Sequence, residues 1–249
     1  MKALGLALVG SLACVASAYA QANDACMEAS TLAQPEAALS HVAGAVADSH
    51  RLNVVVAGTT SSLAPGPAAV AYPARLEAAL AKRLPGVAVK VVNEAKPRQT
   101  AAAMEADFTR IVADDKPDLL VWQTGTFDAI HGVDPDEYRS TLETGISTLH
   151  AAQSDVILMN MQYSPRTESM IAANVYADHM RWVALQQDVP LFDRFAIMKE
   201  WNDRAIFDFH SRENAAATAE RVHDCLGRLL ADFILDAAKL ATAPPKETR

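Results

Sequence analysis

Residues 52–57 read Leu52-Asn53-Val54-Val55-Val56-Ala57 and stop at Gly58. The run carries no charge and has three β-branched residues in succession. It fits a strand covered on both faces, because a half-exposed strand would alternate apolar with polar. Similar runs recur at 87–92, at Leu119-Leu120-Val121-Trp122, at Val156-Ile157-Leu158-Met159 and, shortest, at Leu191-Phe192. Helical patterns separate them. Pro73 opens one helix with Leu76, Ala79, Leu80 and Leu84 along a face, closed by Pro85-Gly86. Residues 100–113 form a second, with Met104, Phe108, Ile111 and Val112 on its apolar side. Asp134-Pro135 starts a third that runs to about 152, and segments 171–188 and 214–240 complete the series. An Ala-rich helical arm, 35–49, precedes the first strand. Buried strands alternating with amphipathic helices predict a parallel five-stranded sheet with helices on both faces. The result is one doubly wound α/β domain over 51–240. In such sheets ligands bind outside the carboxyl ends of the strands, so the loops there are where chemistry is expected.

Composition narrows the classes. The 249 residues are 51% apolar and 21% charged, which excludes disordered and fibrous chains. Lys plus Arg number 22 against 30 for Asp plus Glu, a net charge of −8, and no basic block occurs. Nucleic acid is therefore not an expected partner. There is no GxGxxG and no Walker-type loop, so no nucleotide cofactor is expected. His41, His50, His131, His150, His179 and His223 form no i, i+4 pair and no cysteine cluster. No metal site is expected.

The N-terminus has its own signature. Met1-Lys2 is a short basic start, residues 3–16 are apolar, and Ala18-Tyr19-Ala20 has the form that signal peptidase cuts after. Residues 1–20 are thus expected to be a cleaved signal peptide, making the product periplasmic or secreted. The apolar run is shorter than the ~20 residues of a spanning helix, so no transmembrane segment is expected. A rival is a lipoprotein signal ending at Cys14, after Ser11-Leu12-Ala13. Export leaves Cys26 and Cys225 in an oxidising compartment. One disulfide would then tie the arm, 21–50, to the last helix. The alternative is two free thiols with Cys225 buried on its helix. Residues 241–249 read as a loose tail.

Several blocks recur in a recognisable order: Val54-Val55-Val56-Ala57-Gly58-Thr59-Thr60-Ser61-Ser62, then Tyr72-Pro73-Ala74-Arg75-Leu76-Glu77, then Val92-Asn93-Glu94-Ala95 to Gln99. Pro117-Asp118-Leu119-Leu120-Val121-Trp122-Gln123-Thr124-Gly125-Thr126 follows, then Gln162-Tyr163-Ser164-Pro165-Arg166, Pro190-Leu191-Phe192 and Asp208-Phe209-His210. Over about 52–235 the chain resembles the SGNH/GDSL hydrolases. That resemblance implies a flavodoxin-like three-layer αβα sandwich and the chemistry of esterases, acyltransferases and lipases, many of them acting on acylated carbohydrates. It also assigns roles. The family's nucleophilic Ser stands two residues after its Gly, and after Gly58 that position holds Thr60. A Gly whose backbone N–H serves the oxyanion hole precedes a polar residue, and before Gln99 stands Arg98. The third block reads Gly-x-Asn, where this chain has Gly125-Thr126-Phe127. The last reads Asp-x-x-His, and three residues before His210 stands Phe207.

Those departures have chemical weight. Thr60 keeps a hydroxyl, but its β-methyl crowds attack and fixes χ1. Ser61 takes its place only if the turn shifts by one residue. Phe127 cannot donate to an oxyanion, and losing one such donor costs ~10²–10³ in rate. Phe207 cannot orient an imidazole, a loss of ~10⁴ in one serine protease. Asp208 lies one residue off register and serves only by swinging in. Arg98 offers its N–H, or a guanidinium as an anion clamp. Candidate catalytic residues are thus Thr60, Ser61, Asp208 and His210, with Gly58, Arg98, Gly125 and Phe127 lining the substrate. The plain structural roles are turn and cap residues at Thr60, Ser61 and Asp208, a solvated His210, and Phe127 packed on Phe207 to fill the cavity. The substitutions favour weak or lost ester hydrolysis with binding of an acylated glycan or lipid retained. The alternatives are a non-standard hydrolase using Thr60 or Ser61 with His210, and a scaffold whose cleft is closed. No protein partner is indicated.

Overall fold

The computed structural model describes residues 26–63, 66–170 and 172–240. The signal peptide at 1–20, Cys14, residues 21–25 of the arm, Pro65, Ile171 and the tail at 241–249 lie outside the described residues, as does the Arg166 side chain. Five strands form one sheet: β1 (Arg51–Ala57), β2 (Ala88–Asn93), β3 (Leu119–Gln123), β4 (Asp155–Met159) and β5 (Leu191–Phe192). All pair in parallel, in the order β2-β1-β3-β4-β5. β1 lies between β2 and β3, with Val56 beside Asn93 on one side and Val121 on the other. The order reverses at β1, so the crevice at its carboxyl end, against β3, is the natural ligand position.

The strands bury both faces. Leu52, Val54 and Val56 join Leu119, Val121, Ile157 and Met159 in one core; Val55 and Ala57 join Leu120, Trp122, Val156 and Leu158 in the other. The two sets alternate along each strand, as a pleat requires. The first core is covered by α1 (Ser40–Ser49), α2 (Tyr72–Arg83) and the long C-terminal helix α10 (Ala215–Ala237). The second is covered by α3 (Ala101–Glu105), α4 (Phe108–Asp115), α6 (Pro135–Ala151) and α8 (Ala173–Gln186). This is the three-layer αβα sandwich expected. Asp134 caps α6 as the sequence signals, accepting from the N–H groups of Asp136 at 2.9 Å and Glu137 at 3.2 Å.

Helix boundaries needed correction where tertiary contacts compete. The helix expected at 35–49 begins only at Ser40, after a 3₁₀ turn at Ser30–Leu32. Leu39 N–H donates to Ala237 O at 3.1 Å, and the Asp155 carboxylate accepts Val42 N–H at 2.9 Å, so distant partners set the start of α1. The expected 100–113 helix is split between α3 and α4. Asp107 N–H turns back to Met104 O at 3.0 Å, and the Asp107 carboxylate is held by Lys96 and Arg110. Three further helices were not expected: α5 (Thr126–His131), α7 (Pro165–Met170) and α9 (Arg194–Asp203). Asp193 caps α9 by accepting Ala196 N–H at 2.9 Å.

Cys26 and Cys225 form a disulfide with Cα atoms 5.2 Å apart, across 199 residues. Loop-entropy arithmetic assigns such a closure about 5 kcal/mol. No helix among the described residues is long and apolar enough to cross a membrane.

Candidate functional site

The site is built on a turn that folds back onto the end of its own strand. After β1 the chain passes Gly58, and Thr60–Ser62 form a single 3₁₀ turn closed by Leu63 N–H to Thr60 O at 3.2 Å. A Cβ on Gly58 would lie 2.3 Å from Ser62 Oγ and 2.9 Å from Ser62 Cβ, so only glycine fits. Gln123, at the end of β3, holds the turn from below. Its Oε1 accepts Thr59 N–H at 3.2 Å, the Ser61 hydroxyl at 3.1 Å and the Ser62 hydroxyl at 2.9 Å. The Thr59 N–H can only donate, which fixes the orientation of the amide. The Ser62 hydroxyl also lies 3.0 Å from the Tyr72 hydroxyl, and Tyr72 N–H donates to His223 Nδ1 at 2.9 Å.

Arg194, the first residue of α9, enters this cluster fully buried. Its Nη1 donates to Ser61 Oγ at 3.0 Å, and its Nη2 to Gln162 Oε1 at 3.0 Å and Ser61 O at 3.4 Å. The guanidinium stands 5.6 Å over the Tyr72 ring. No carboxylate among the described residues lies within ion-pair reach of it, and its Nε has no partner there. Burial brings its pKa down to about 10, with Tyr72 acting the other way. Burial, and then the Arg194 charge, pull His223 down to about 4. His223 is therefore neutral near pH 7. Since its Nδ1 accepts a bond, Nε2 carries the proton.

The other candidates surround this cluster. Thr60 is exposed, and its Oγ1 accepts Arg98 N–H at 3.3 Å. Arg98 sits at φ 63°, the left-handed conformation a glycine would take without strain. Its loop is held against β1 by Glu94 N–H to Val56 O at 2.9 Å and Lys96 N–H to Gly58 O at 3.1 Å. Gly125 has φ 101°, and a Cβ there would come 3.1 Å from the Tyr138 hydroxyl. Beyond it, Asp128 ties two loops together. It accepts Ala101 N–H at 2.9 Å, Gly125 N–H at 3.1 Å and the Thr124 hydroxyl at 3.2 Å. Burial raises its carboxyl above the usual range, against the pull of those donors.

Sequence reasoning thus places Gly58, Thr60, Ser61 and Arg98 around one turn, with Gly125 just before α5 and Phe127 in its first turn. Asp208 and His210 are arranged differently. Asp208 Oδ1 accepts the backbone N–H of His210 at 2.9 Å and of Ser211 at 3.0 Å, which hold its carboxyl below the usual range. The carboxylate serves the turn rather than the exposed imidazole. The expected pairing of Phe127 with Phe207 is not formed. The Phe127 ring faces His131, centroids 6.0 Å apart, whereas Phe207 packs on Trp201 at 5.2 Å with Arg221 over it at 5.0 Å. Gln123, Ser62, Tyr72, His223, Asp128 and Arg194 were not singled out by their sequence, apart from Ser62, Tyr72 and Gln123 standing in recognisable blocks.

Two cavities lie away from this turn. One of about 500 Å³ opens at the amino ends of the strands between His41, Asp48, Arg51 and Asp118. Another of about 180 Å³ lies between the arm and α8, near Leu32 and Leu185. No group of three His, Cys, Asp or Glu side chains able to hold a metal occurs among the described residues.

Comparison with known proteins adds a lineage. The sequence model of the Non-GDSL lipase-like family matches residues 25–240. Among solved structures the chain is similar to TesA, at 22% identity and a TM-score of 0.57 over 72% of this chain and 98% of that one. It is also similar to Axe2, an acetylxylan esterase from Geobacillus stearothermophilus, at 18% identity, TM-score 0.57, 76% of this chain and 94% of that one. LAE5, an α/β hydrolase enzyme from the metagenome of Lake Arreo, Spain, aligns at 20% identity, TM-score 0.57, 75% and 94%. At these identities the likeness is one of fold. A search of curated proteins gave no match.

Proposed function

The chain belongs to the Non-GDSL lipase-like family, and from that premise we propose an exported esterase relative that binds an acylated glycan or lipid with little or no turnover. Its location would be periplasmic or extracellular, as the signal-like residues 1–20 suggest. The carrying observation is the fate of the Ser61 hydroxyl. Its proton goes to the Gln123 amide oxygen at 3.1 Å, and its oxygen is held by Arg194 at 3.0 Å. An amide oxygen is not a base, and a guanidinium donor withdraws the lone pair that attack requires. Thr60 is open to solvent, but the partner of its hydroxyl oxygen is a donor, Arg98 N–H. Phe127 supplies no oxyanion donor, and Asp208 is engaged by backbone. These deficits bear on one chemical step, so they do not multiply. The glycan in the proposal draws on the acetylxylan named for Axe2.

One observation favours residual hydrolysis through Thr60: its hydroxyl is exposed, and no base-blocking side chain holds it among the described residues, its partner being the Arg98 backbone N–H. The two readings separate in one experiment. Residues 21–249 are assayed on p-nitrophenyl acetate beside His210→Ala and Thr60→Ala/Ser61→Ala, with calorimetric titration of acetylated xylo-oligosaccharides and acylated lipid micelles. Binding with background hydrolysis that none of the substitutions changes is the expected result. Turnover abolished in both variants overturns the proposal in favour of the Thr60 or Ser61 hydrolase. Neither binding nor turnover would leave the interaction scaffold.

A further inference from the structure

Resting on the reading that this turn receives the ligand, we infer that the ligand is anionic, its carboxylate or phosphate held at the exposed Thr60 and Arg98, in the field of the buried Arg194 behind Ser61. A fully buried guanidinium is normally paired with a carboxylate, because desolvation is costly and neutral oxygens offset it only in part. Among the described residues Arg194 meets only neutral groups: Ser61 Oγ, Ser61 O, Gln162 Oε1 and the face of the Tyr72 ring. Its charge is therefore uncompensated in a low-dielectric site, where a field acts far more strongly than in water.

Arg98 supplies the second cation from the solvent side. It is exposed, and no ion pair of its own occurs among the described residues. The acids of its neighbourhood are already engaged, Asp107 by Lys96 and Glu94 by Arg110 at 2.7 Å. Both arginines touch this turn at consecutive residues, Arg98 by its backbone N–H on Thr60 Oγ1 and Arg194 by its guanidinium on Ser61 Oγ. Arg98 also occupies a left-handed position that glycine would fill at lower conformational cost. A side chain held there against its backbone preference is consistent with a task for that side chain. The whole chain carries a net charge of −8, so bulk charge does not explain anion attraction at this point.

The test is an NMR titration of ¹⁵N-labelled residues 21–249 at low ionic strength. The carboxylate arm uses glucuronate, standing for an acidic glycan, and the phosphate arm uses glycerol 3-phosphate, standing for a lipid headgroup. The Thr60, Ser61 and Arg98 amide signals are expected to shift with at least one of them, and the stronger arm identifies the source. Arg98→Gln should weaken that binding about tenfold, and Arg98→Lys should keep most of it. Raising the salt should weaken it further. Equal affinity in Arg98→Gln, or equal shifts with methyl glucoside and glycerol, overturns the inference. Neutral acetylated xylo-oligosaccharides binding without any anion response would leave the proposed function standing and remove only the anion. Anion binding beside fast ester turnover would do the reverse.

Discussion

Arg194 reaches across the carboxyl end of the sheet to hold Ser61 twice, Nη1 3.0 Å from its hydroxyl and Nη2 3.4 Å from its carbonyl. With Gln123 beneath, the turn after β1 is fastened from two sides by groups that neither take nor return a proton near neutral pH. In a serine hydrolase that turn must present a hydroxyl to a base. Here the same backbone position presents a positive field instead.

Replacing Thr60 by Ser alone should raise p-nitrophenyl acetate hydrolysis less than tenfold. It removes the crowding methyl but supplies neither the missing donor at Phe127 nor an acid for His210, whose neighbour Asp208 is bound to backbone N–H groups. Those two absences correspond to ~10²–10³ and ~10⁴ in other hydrolases. Initial rates for Thr60→Ser against the parent decide it. A gain of two orders of magnitude would show that the nucleophile was the only thing lacking.

Gly58→Ala should destabilise the fold by about 2 kcal/mol, because the new Cβ falls 2.3 Å from Ser62 Oγ and the turn has to move off Gln123. Gly44→Ala is its control: within α1, the nearest atom to the added Cβ is 4.0 Å away, at Asp48 Oδ2. That substitution should stabilise by about 0.5–1 kcal/mol through helix propensity. Urea unfolding of both variants measures the contrast. A tolerated alanine at Gly58 would mean the turn is not held as described.

These two glycines show what a sequence can and cannot convey. Gly58 was legible because a strand run ended on it inside a recognisable block, and strand runs at 52–57 and 156–159 were legible because burial on both faces leaves a continuous apolar signature. Even β5, two residues long, carried it. Arg194 had no such signature. An arginine at the start of a helix reads as a surface residue, and its burial depends on Ser61 and Gln162, 133 and 32 residues away. His223 was invisible for the same reason, since its partner Tyr72 lies 151 residues off. The break between α3 and α4 depends on Lys96 reaching Asp107, a contact that helical periodicity does not encode.

Buried His223 makes stability acid-sensitive. Its pKa is about 4 in the folded chain against 6.5 in the unfolded one. A depressed folded value contributes stability that is complete above pH 6.5 and is lost as pH falls through 4. The loss is about 3 kcal/mol, and protonation also breaks the acceptor bond at Nδ1. Asp128 and Asp155, both raised by burial above 3.8, act in the opposite direction, relieving a penalty as pH falls toward that value. The His223 contribution is therefore read as a difference between parent and His223→Asn, which keeps an acceptor without a titrating ring. Unfolding free energies at pH 7 and pH 4 should show the parent losing about 3 kcal/mol more than the variant. Parallel losses would place His223 outside the acid response.

Arg98→Gly should move stability and binding in opposite directions. The left-handed φ of 63° costs a non-glycine residue about 1–2 kcal/mol, and glycine gives back part of that through its looser unfolded chain. The net expectation is a gain of roughly 0.5–1 kcal/mol. Arg98 N–H remains available to Thr60 Oγ1 in the glycine variant, so the backbone geometry of the turn is retained while the guanidinium is lost. Thermal melts and anion titrations of the same preparation separate the two effects. A more stable protein with weaker anion binding would identify the strain as the consequence of a functional side chain. A variant that is less stable and binds equally well would mean that the arginine serves packing, and that the field at the turn comes from Arg194 alone.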